Sequence, residues 1–326
     1  MNNAIPQPVT ASRAAPVGDA LIDPALFDQS LLGGTARDWI ALLKPRVMSL
    51  VVFSGAAGLL VAPVPIDPVL AIAVIISIAA GSGASGAINM WYDRDIDAIM
   101  RRTAQRPIPA GRISPQGALT FGITLALLSV GLMWFASNAL AAAVLALSIL
   151  FYVFIYTMWL KRRTPQNIVI GGAAGAFPPI IGWAAATGSI STLPLLMFAL
   201  IFFWTPPHFW SLALFASEDY ERAGVPMMPV AKGARRTRWE ILIYTALLLP
   251  ISILPWSLGL AGPVYLIAAL GLSSAFLYYA VAVLREPQDR SGVSLNRDAA
   301  AKAAFKYSLI YLFALLGALV IDHWIR

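Results

Sequence analysis

Asn89, Asp93, Asp95 and Asp97 close a long apolar run, and Arg94, Arg101, Arg102, Arg106 and Arg112 fall within the same two dozen positions. Carboxylate oxygens are the hard ligands that Mg2+ takes, and a guanidinium cluster beside them suits phosphate oxygens. The chemistry on offer is capture of a metal together with the phosphates of an amphiphilic substrate. Asn89, Asp93 and Asp97 step by four, so on one helix each drifts only about 40° around the axis and rises about 6 Å. They form one stripe. Asp95 points to the opposite side and falls outside the primary site. An interfacial helix end whose acids pair with Arg94, Arg101 and Arg102 explains the stripe equally well.

A second acidic segment, SEDYERAGVPMMPVAKGARR at 217–236, offers Glu218, Asp219 and Glu221 with Lys232, Arg235 and Arg236 behind them. Two acid clusters at like depth, each backed by bases, favour metal and anion binding over chance. Lys44, Arg46 and the KRR run at 161–163, beginning with Lys161, ring the same side. Orienting the helices is at least part of their work. His208 follows Trp204-Thr-Pro206-Pro207 well inside an apolar run, where an imidazole is uncommon. On a regular helix His208 and Asp219 would share a face to within about 20° and stand roughly 16 Å apart, which sets the histidine deeper than a phosphate site. An interhelical hydrogen bond near the proline pair is the plainer account of it. His323 reads as interfacial.

The elements that must carry these residues follow from composition. With 59% apolar and 12% charged residues and a mean hydropathy of +0.75, the chain reads as an all-α, multi-pass membrane protein. Runs long enough to cross a bilayer, about 20 residues each, fall near 46–63, 68–92, 117–136, 138–160, 167–187, 192–217, 238–259, 262–284 and 303–323, so a bundle of nine transmembrane helices is expected. Lys and Arg sit in the N-terminal arm and in alternate connections, which together hold 22 of the 23. The positive-inside rule then places the N-terminus and both acid clusters in the cytoplasm and the C-terminus outside. Apart from Asp67 and Asp322 the acids follow the same asymmetry.

Residues 1–37 read as a flexible cytoplasmic arm with neither the apolar core of a signal peptide nor an Arg-rich transit composition. Nothing divides the rest, so 38–326 reads as one domain. The absence of Cys excludes disulfides, thiolate metal sites and a Cys nucleophile. The net charge of +7 fits membrane topology and anionic headgroups or substrates, and no nucleic-acid motif accompanies it. The small-residue run GSGASG at 81–86 suits close helix packing, with room for a substrate chain as the alternative.

Asn89-x3-Asp93-x3-Asp97 at the end of the second span, with Arg102-x3-Arg106-Pro107 after it, resembles the intramembrane prenyltransferases of the UbiA type. Four strings in order are similar, more narrowly, to the protohaem IX farnesyltransferase (haem O synthase) family: NMWYDRDIDAIMRRTAQRPIPAGR, YTMWLKRRTPQNIVIGGAAGAFPPIIGW, WTPPHFWSLALF and DYERAGVPMMPV. The resemblance runs from Lys44 to the ninth span and leaves out the arm. It implies farnesyl transfer from farnesyl diphosphate to the vinyl group of haem b, with addition of water and loss of diphosphate, and it implies Mg2+. On this chain Asn89, Asp93, Asp97, Arg102 and Arg106 would then be the catalytic set, and Asp93, Asp97 and Asp219 the metal ligands. Lys44, Arg46, Lys161, His208 and Lys232 would bind substrates. Glu218 and Glu221 match the second acidic motif of the wider superfamily less well than Asp219. The implied setting is the inner membrane with the site facing the cytoplasm, and haem A synthase or a terminal-oxidase assembly is the implied protein partner. Three rivals are a prenyltransferase for a phenolic or quinone precursor, a transporter and a structural assembly factor. The TPPHFW string opposes the first. Spans free of Lys, Arg, Asp and Glu except at their ends oppose the second, and two acid–base clusters on one face oppose the third.

Overall fold

The computed structural model describes residues 33–290 and 292–326, so the expected arm lies outside the described residues except for 33–37. Fourteen α-helices are named here in chain order: α1 (Ala36–Leu42), α2 (Pro45–Leu60), α3 (Pro68–Tyr92), α4 (Arg94–Ile99), α5 (Pro115–Ala136), α6 (Ala139–Leu150), α7 (Asn167–Ala176), α8 (Pro178–Thr187), α9 (Thr192–Phe215), α10 (Ser217–Arg222), α11 (Met228–Lys232), α12 (Ala234–Ser257), α13 (Pro263–Arg285) and α14 (Ala299–Ile325). A π-helical segment, Phe151–Leu160, continues α6 to the end of its span. Eight spans are long and apolar enough to cross a membrane, and α1 with α2, bent by 55°, makes the ninth. The nine expected spans are thus recovered, the first of them broken.

Local chemistry sets the helix starts. Proline occupies the first turn of α2, α3, α5, α8 and α13, where its missing N–H costs nothing. Asp67, Ser114 and Asn138 accept hydrogen bonds from backbone N–H groups at the starts of α3, α5 and α6. At α1, Thr35 and Asp38 form a reciprocal capping box. On the opposite side of the bundle the buried Asp322 of α14 accepts from Gly262 and from Tyr265 (3.2 Å), tying the start of α13 to the last helix.

One apolar core unites α2, α9, α13 and α14 around Trp204, Tyr265, Phe276 and Tyr311, and another unites α3, α6 and α8 around Ile78, Leu145 and Ile181. Close backbone approach matters where α2 crosses α8. A Cβ on Gly182 would lie 2.0 Å from the carbonyl oxygen of Gly55, so no larger residue fits. The GSGASG run serves the same end: a Cβ on Gly83 would meet Leu43 Cδ2 at 2.8 Å. This packing brings the bend between α1 and α2, with Lys44 in it, onto the last turns of α3.

Candidate active site

Asn89 lies in the last turn of α3, and the helix stops at Tyr92. Asp93 leaves helical geometry (φ −87°, ψ 7°) and α4 begins at Arg94. The expected single helix is therefore broken, yet the i to i+4 backbone bonds Asp93 N to Asn89 O (2.9 Å) and Asp97 N to Asp93 O (2.8 Å) bridge the break. Asn89, Asp93 and Asp97 keep their common face, and all three are buried. Asp95 is on the other side, with its side chain 61% exposed and gripped by Arg162 at 2.6 and 2.7 Å. Its side chain thus stands apart from the stripe. Arg162 beside it holds the Asp95 carboxyl below its ordinary range, and Asp95 in turn raises the Arg162 guanidinium.

Each buried acid has its own cation, drawn from a different part of the chain. Lys161, just past the π-helical segment, bonds Asp93 Oδ2, and Arg162 reaches Asp93 Oδ1 at 3.4 Å. Arg106 lies 2.6 Å from Asp97 Oδ2. It can do so because residues 100–113 fold back in successive turns, with the Thr103 hydroxyl donating to the Asp97 carbonyl at 2.9 Å. Lys44 donates to Asn89 Oδ1 at 2.5 Å, while Asn89 Nδ2 donates to Asp93 Oδ2 (2.7 Å) and to Thr157 Oγ1 (3.1 Å). The pairing with Arg94, Arg101 and Arg102 that a plain helix end would need is not what forms. Arg94 bonds the Trp91 carbonyl at 2.8 Å instead.

Arg102 is exposed and reaches the hydroxyl of Tyr220 on α10 at 3.5 Å, which joins the first acid-rich segment to the second. Asp219, next to it, is paired with Arg222. Because α9 ends at Phe215 and α10 is a separate helix, the projection of His208 and Asp219 onto one helical face does not hold. Among the described residues no three His, Asp or Glu side chains converge closely enough to hold a metal ion. Arg46 and Lys232 are exposed and take no part in the cluster of bonds around Asn89, Asp93 and Asp97. His208 is buried deep in α9 and bonded through Nδ1 to Ser308 Oγ at 2.6 Å. A cleft of about 360 Å3 lined by Trp91, Tyr92, Arg94, Asp95 and Arg162 includes none of the three stripe residues.

Thr157 is the site residue the sequence reading missed. It is fully buried in the π-helical segment, and its hydroxyl accepts from Asn89. The one aliphatic hydroxyl in FYVFIYTMWL, four residues before Lys161, was the available signal. Thr205, Thr237 and Thr245 each donate back to the carbonyl four residues earlier, whereas Thr157 makes no such bond and turns to Asn89. π-Helical register is rare and recurs at functional sites.

A bundle of apolar spans with buried acids and cations gathered at the ends of α3 and the Phe151–Leu160 segment defines a multi-pass membrane protein with a polar site at one end of its helices. The chain belongs to the UbiA prenyltransferase family, whose description matches residues 50–310. It is 67% identical to the protohaem IX farnesyltransferase of Acidiphilium cryptum (strain JF-5), over 93% of this chain and 96% of that protein. It is 64% identical to the enzyme of the same name from Granulibacter bethesdensis, over 89% and 92%. Its fold is similar to a solved structure of digeranylgeranylglyceryl phosphate synthase (TM-score 0.72, 20% identity, 89% of this chain and 99% of that one). It is also similar to a UbiA homologue from Archaeoglobus fulgidus bound to GPP and Mg2+ (TM-score 0.59, 18% identity, 86% and 99%).

Proposed function

We propose that this prenyltransferase joins the farnesyl group of farnesyl diphosphate to the vinyl group of haem b, taking up water and releasing diphosphate, which makes haem O. Residues 38–326 act as one catalytic unit in the inner membrane, with the site facing the cytoplasm, a sidedness that the distribution of Lys and Arg supports. The observation that carries the reading is the buried set Asn89, Asp93 and Asp97 with Lys44, Lys161 and Arg106 bonded to it, in a chain 67% identical to a protohaem IX farnesyltransferase.

The donor set fits Mg2+: two buried carboxylates supply hard oxygens, and diphosphate and water complete the shell. Asp93 and Asp97 would hold it, with Asp219 as the candidate from the second segment. Bound Mg2+ neutralises charge on the diphosphate. Lys44, Lys161, Arg102 and Arg106 hold the diphosphate oxygens and stabilise the negative charge that grows as the farnesyl C1–O bond breaks. Asn89 fixes the orientation of Asp93 and of the Lys44 ammonium. The new C–C bond forms between farnesyl C1 and the terminal vinyl carbon. Water oxygen adds to the other vinyl carbon, and its spare proton leaves to solvent or to diphosphate. The apolar interior of the bundle keeps bulk water from the allylic cation until the vinyl carbon has attacked.

Incubation of the purified protein with haem b, farnesyl diphosphate and Mg2+, followed by mass analysis, should give the hydroxyethylfarnesyl haem. Prenylation of 4-hydroxybenzoate with haem b untouched would overturn the choice of acceptor.

A further inference from the structure

On the side of α4 that turns away from Asn89, Asp93 and Asp97, two guanidinium groups lie over two aromatic rings. Arg94 stands 5.7 Å from the centre of the Trp91 ring, and Arg162 stands 4.9 Å from the centre of the Tyr92 ring. With Asp95 these four residues line the cleft of about 360 Å3. Two guanidinium charges against one carboxylate leave it with one net positive charge. Asp95 is already held at 2.6 and 2.7 Å by Arg162. Arg94 is exposed and donates to the Trp91 carbonyl at 2.8 Å, which leaves most of its N–H groups without an acceptor among the described residues. Arg162 Nε is buried and likewise has no acceptor among them. A planar fork of free N–H groups fits the oxygens of a phosphate. A base that merely orients its helix needs neither a ring beneath it nor a cleft in front of it.

The surroundings choose among anions. Leu147, Leu150, Phe154 and Trp159 are each about half exposed, and their spacings of three, four and five residues follow the change from α-helical to π-helical turns. They form one apolar stripe along the span, ending just before Arg162. In a bundle of membrane spans such a stripe faces acyl chains, and Trp91, Tyr92 and Trp159 are the amphipathic rings that settle at headgroup level. A headgroup phosphate in the cleft would have its own acyl chains beside the stripe, which no soluble anion exploits. Basic pockets between spans take anionic headgroups in this way. The prenyl diphosphate is not the occupant, because the cleft includes none of Asn89, Asp93 and Asp97.

We propose that this cleft binds the phosphodiester headgroup of an anionic phospholipid in the leaflet next to the site, with Arg94 gripping the phosphate and Arg162 Nε completing the grip. The assignment is independent of which acceptor is prenylated.

The test is native mass spectrometry of the full chain released from nanodiscs of equal parts phosphatidylglycerol and phosphatidylcholine. The wild type should retain phosphatidylglycerol over phosphatidylcholine by about tenfold, the scale of a hydrogen bond between charged groups. Arg94→Gln should retain the two alike. Arg285→Gln, which removes an exposed cation at the end of α13, should keep the wild-type preference. Millimolar sn-glycerol 3-phosphate should displace none of the bound lipid. Retained pyrophosphate binding with Mg2+ certifies that a variant is folded. Equal retention of the two lipids by the wild type, or an undiminished preference in folded Arg94→Gln, would overturn the proposal. So would an equal loss in Arg285→Gln, which would trace the preference to the general charge of that surface. Displacement by glycerol phosphate would overturn it too, by making the cleft a site for soluble anions.

Discussion

Lys44 donates to Asn89 Oδ1 at 2.5 Å, and this contact sets which way the Asn89 amide faces. With the oxygen committed to the ammonium, the NH2 group points to Asp93 and Thr157. A residue in the bend between two helices thereby orients a carboxylate at the end of a third. Asn89→Ala would leave the half-buried Lys44 ammonium without its acceptor and Asp93 without the Asn89 donor. We expect farnesyl transfer to fall by about 100-fold, the upper range for residues that orient a metal ligand. Asn89→Asp should not restore it, because a carboxylate cannot donate to Asp93. Steady-state rates of the two variants with haem b check this. An active Asn89→Asp would show that the amide donor is dispensable.

Asp93→Ala and Asp97→Ala should abolish farnesyl transfer while haem binding, followed by the Soret band, survives. Asp95 provides the contrast. Its side chain is 61% exposed and bonded to Arg162 on the outer side of α4, so Asp95→Asn should keep at least half the wild-type rate. The variant should differ in acid stability instead. Arg162 lowers the folded-state pKa of Asp95, so the stabilisation this pair provides is fully present above the unfolded value of about 4 and is lost as the pH falls through the lowered folded value. Unfolding followed from pH 7 downward should therefore separate wild type from Asp95→Asn by a constant amount above about pH 4, with the gap closing as the pH falls on through the lowered folded-state value. A large loss of rate in Asp95→Asn would put Asp95 back into the site.

Thr157→Val removes one acceptor while keeping the shape of the side chain. Asn89 would lose one of its two anchoring acceptors, and the effect should appear as a rise of about tenfold in KM for farnesyl diphosphate with little change in haem affinity. Thr157→Ser should stay within about twofold of wild type. If valine and serine were equally harmful, the methyl group and packing would be the cause, and the hydroxyl would have no role in holding Asn89.

The stripe was legible because a four-residue step survives a helix break. Asn89, Asp93 and Asp97 stay on one face across the end of α3 since backbone bonds from Asp93 to Asn89 and from Asp97 to Asp93 continue over it. Span positions were legible because a run of apolar residues can satisfy its backbone in lipid only as a helix. The pairing of acids with bases was not. Lys161 and Arg106 approach Asp93 and Asp97 through tertiary packing and a folded loop, whereas sequence proximity had pointed to Arg94, Arg101 and Arg102. The end of the sixth span was legible, expected at 217 and found at Phe215, but the break by which α10 restarts at Ser217 as a separate helix was not, since no glycine or proline marks it. It is this break that separates His208 from Asp219.

Arg238 shows a second use of the bases beyond orienting helices. Its side chain is fully buried near the start of α12, where it donates to the Val283 carbonyl (3.0 Å) and Glu286 (3.0 Å) at the end of α13 and to Asp298 (2.9 Å) at the start of α14. Glu286 in turn accepts from the Ala300 N–H at 3.1 Å, so one guanidinium ties three helices together. Removing one partner of a buried pair leaves the other charge uncompensated and costs roughly 3–5 kcal/mol. Arg238→Ala should therefore lower the thermal midpoint sharply in detergent. The triple variant Arg238→Met with Glu286→Gln and Asp298→Asn removes all three charges and should recover much of the loss. Because these residues do not touch Asn89, Asp93 or Asp97, the folded fraction of each variant should keep wild-type KM for farnesyl diphosphate. A change in KM with an unchanged midpoint would mean that this ion cluster communicates with the site instead of holding the helices.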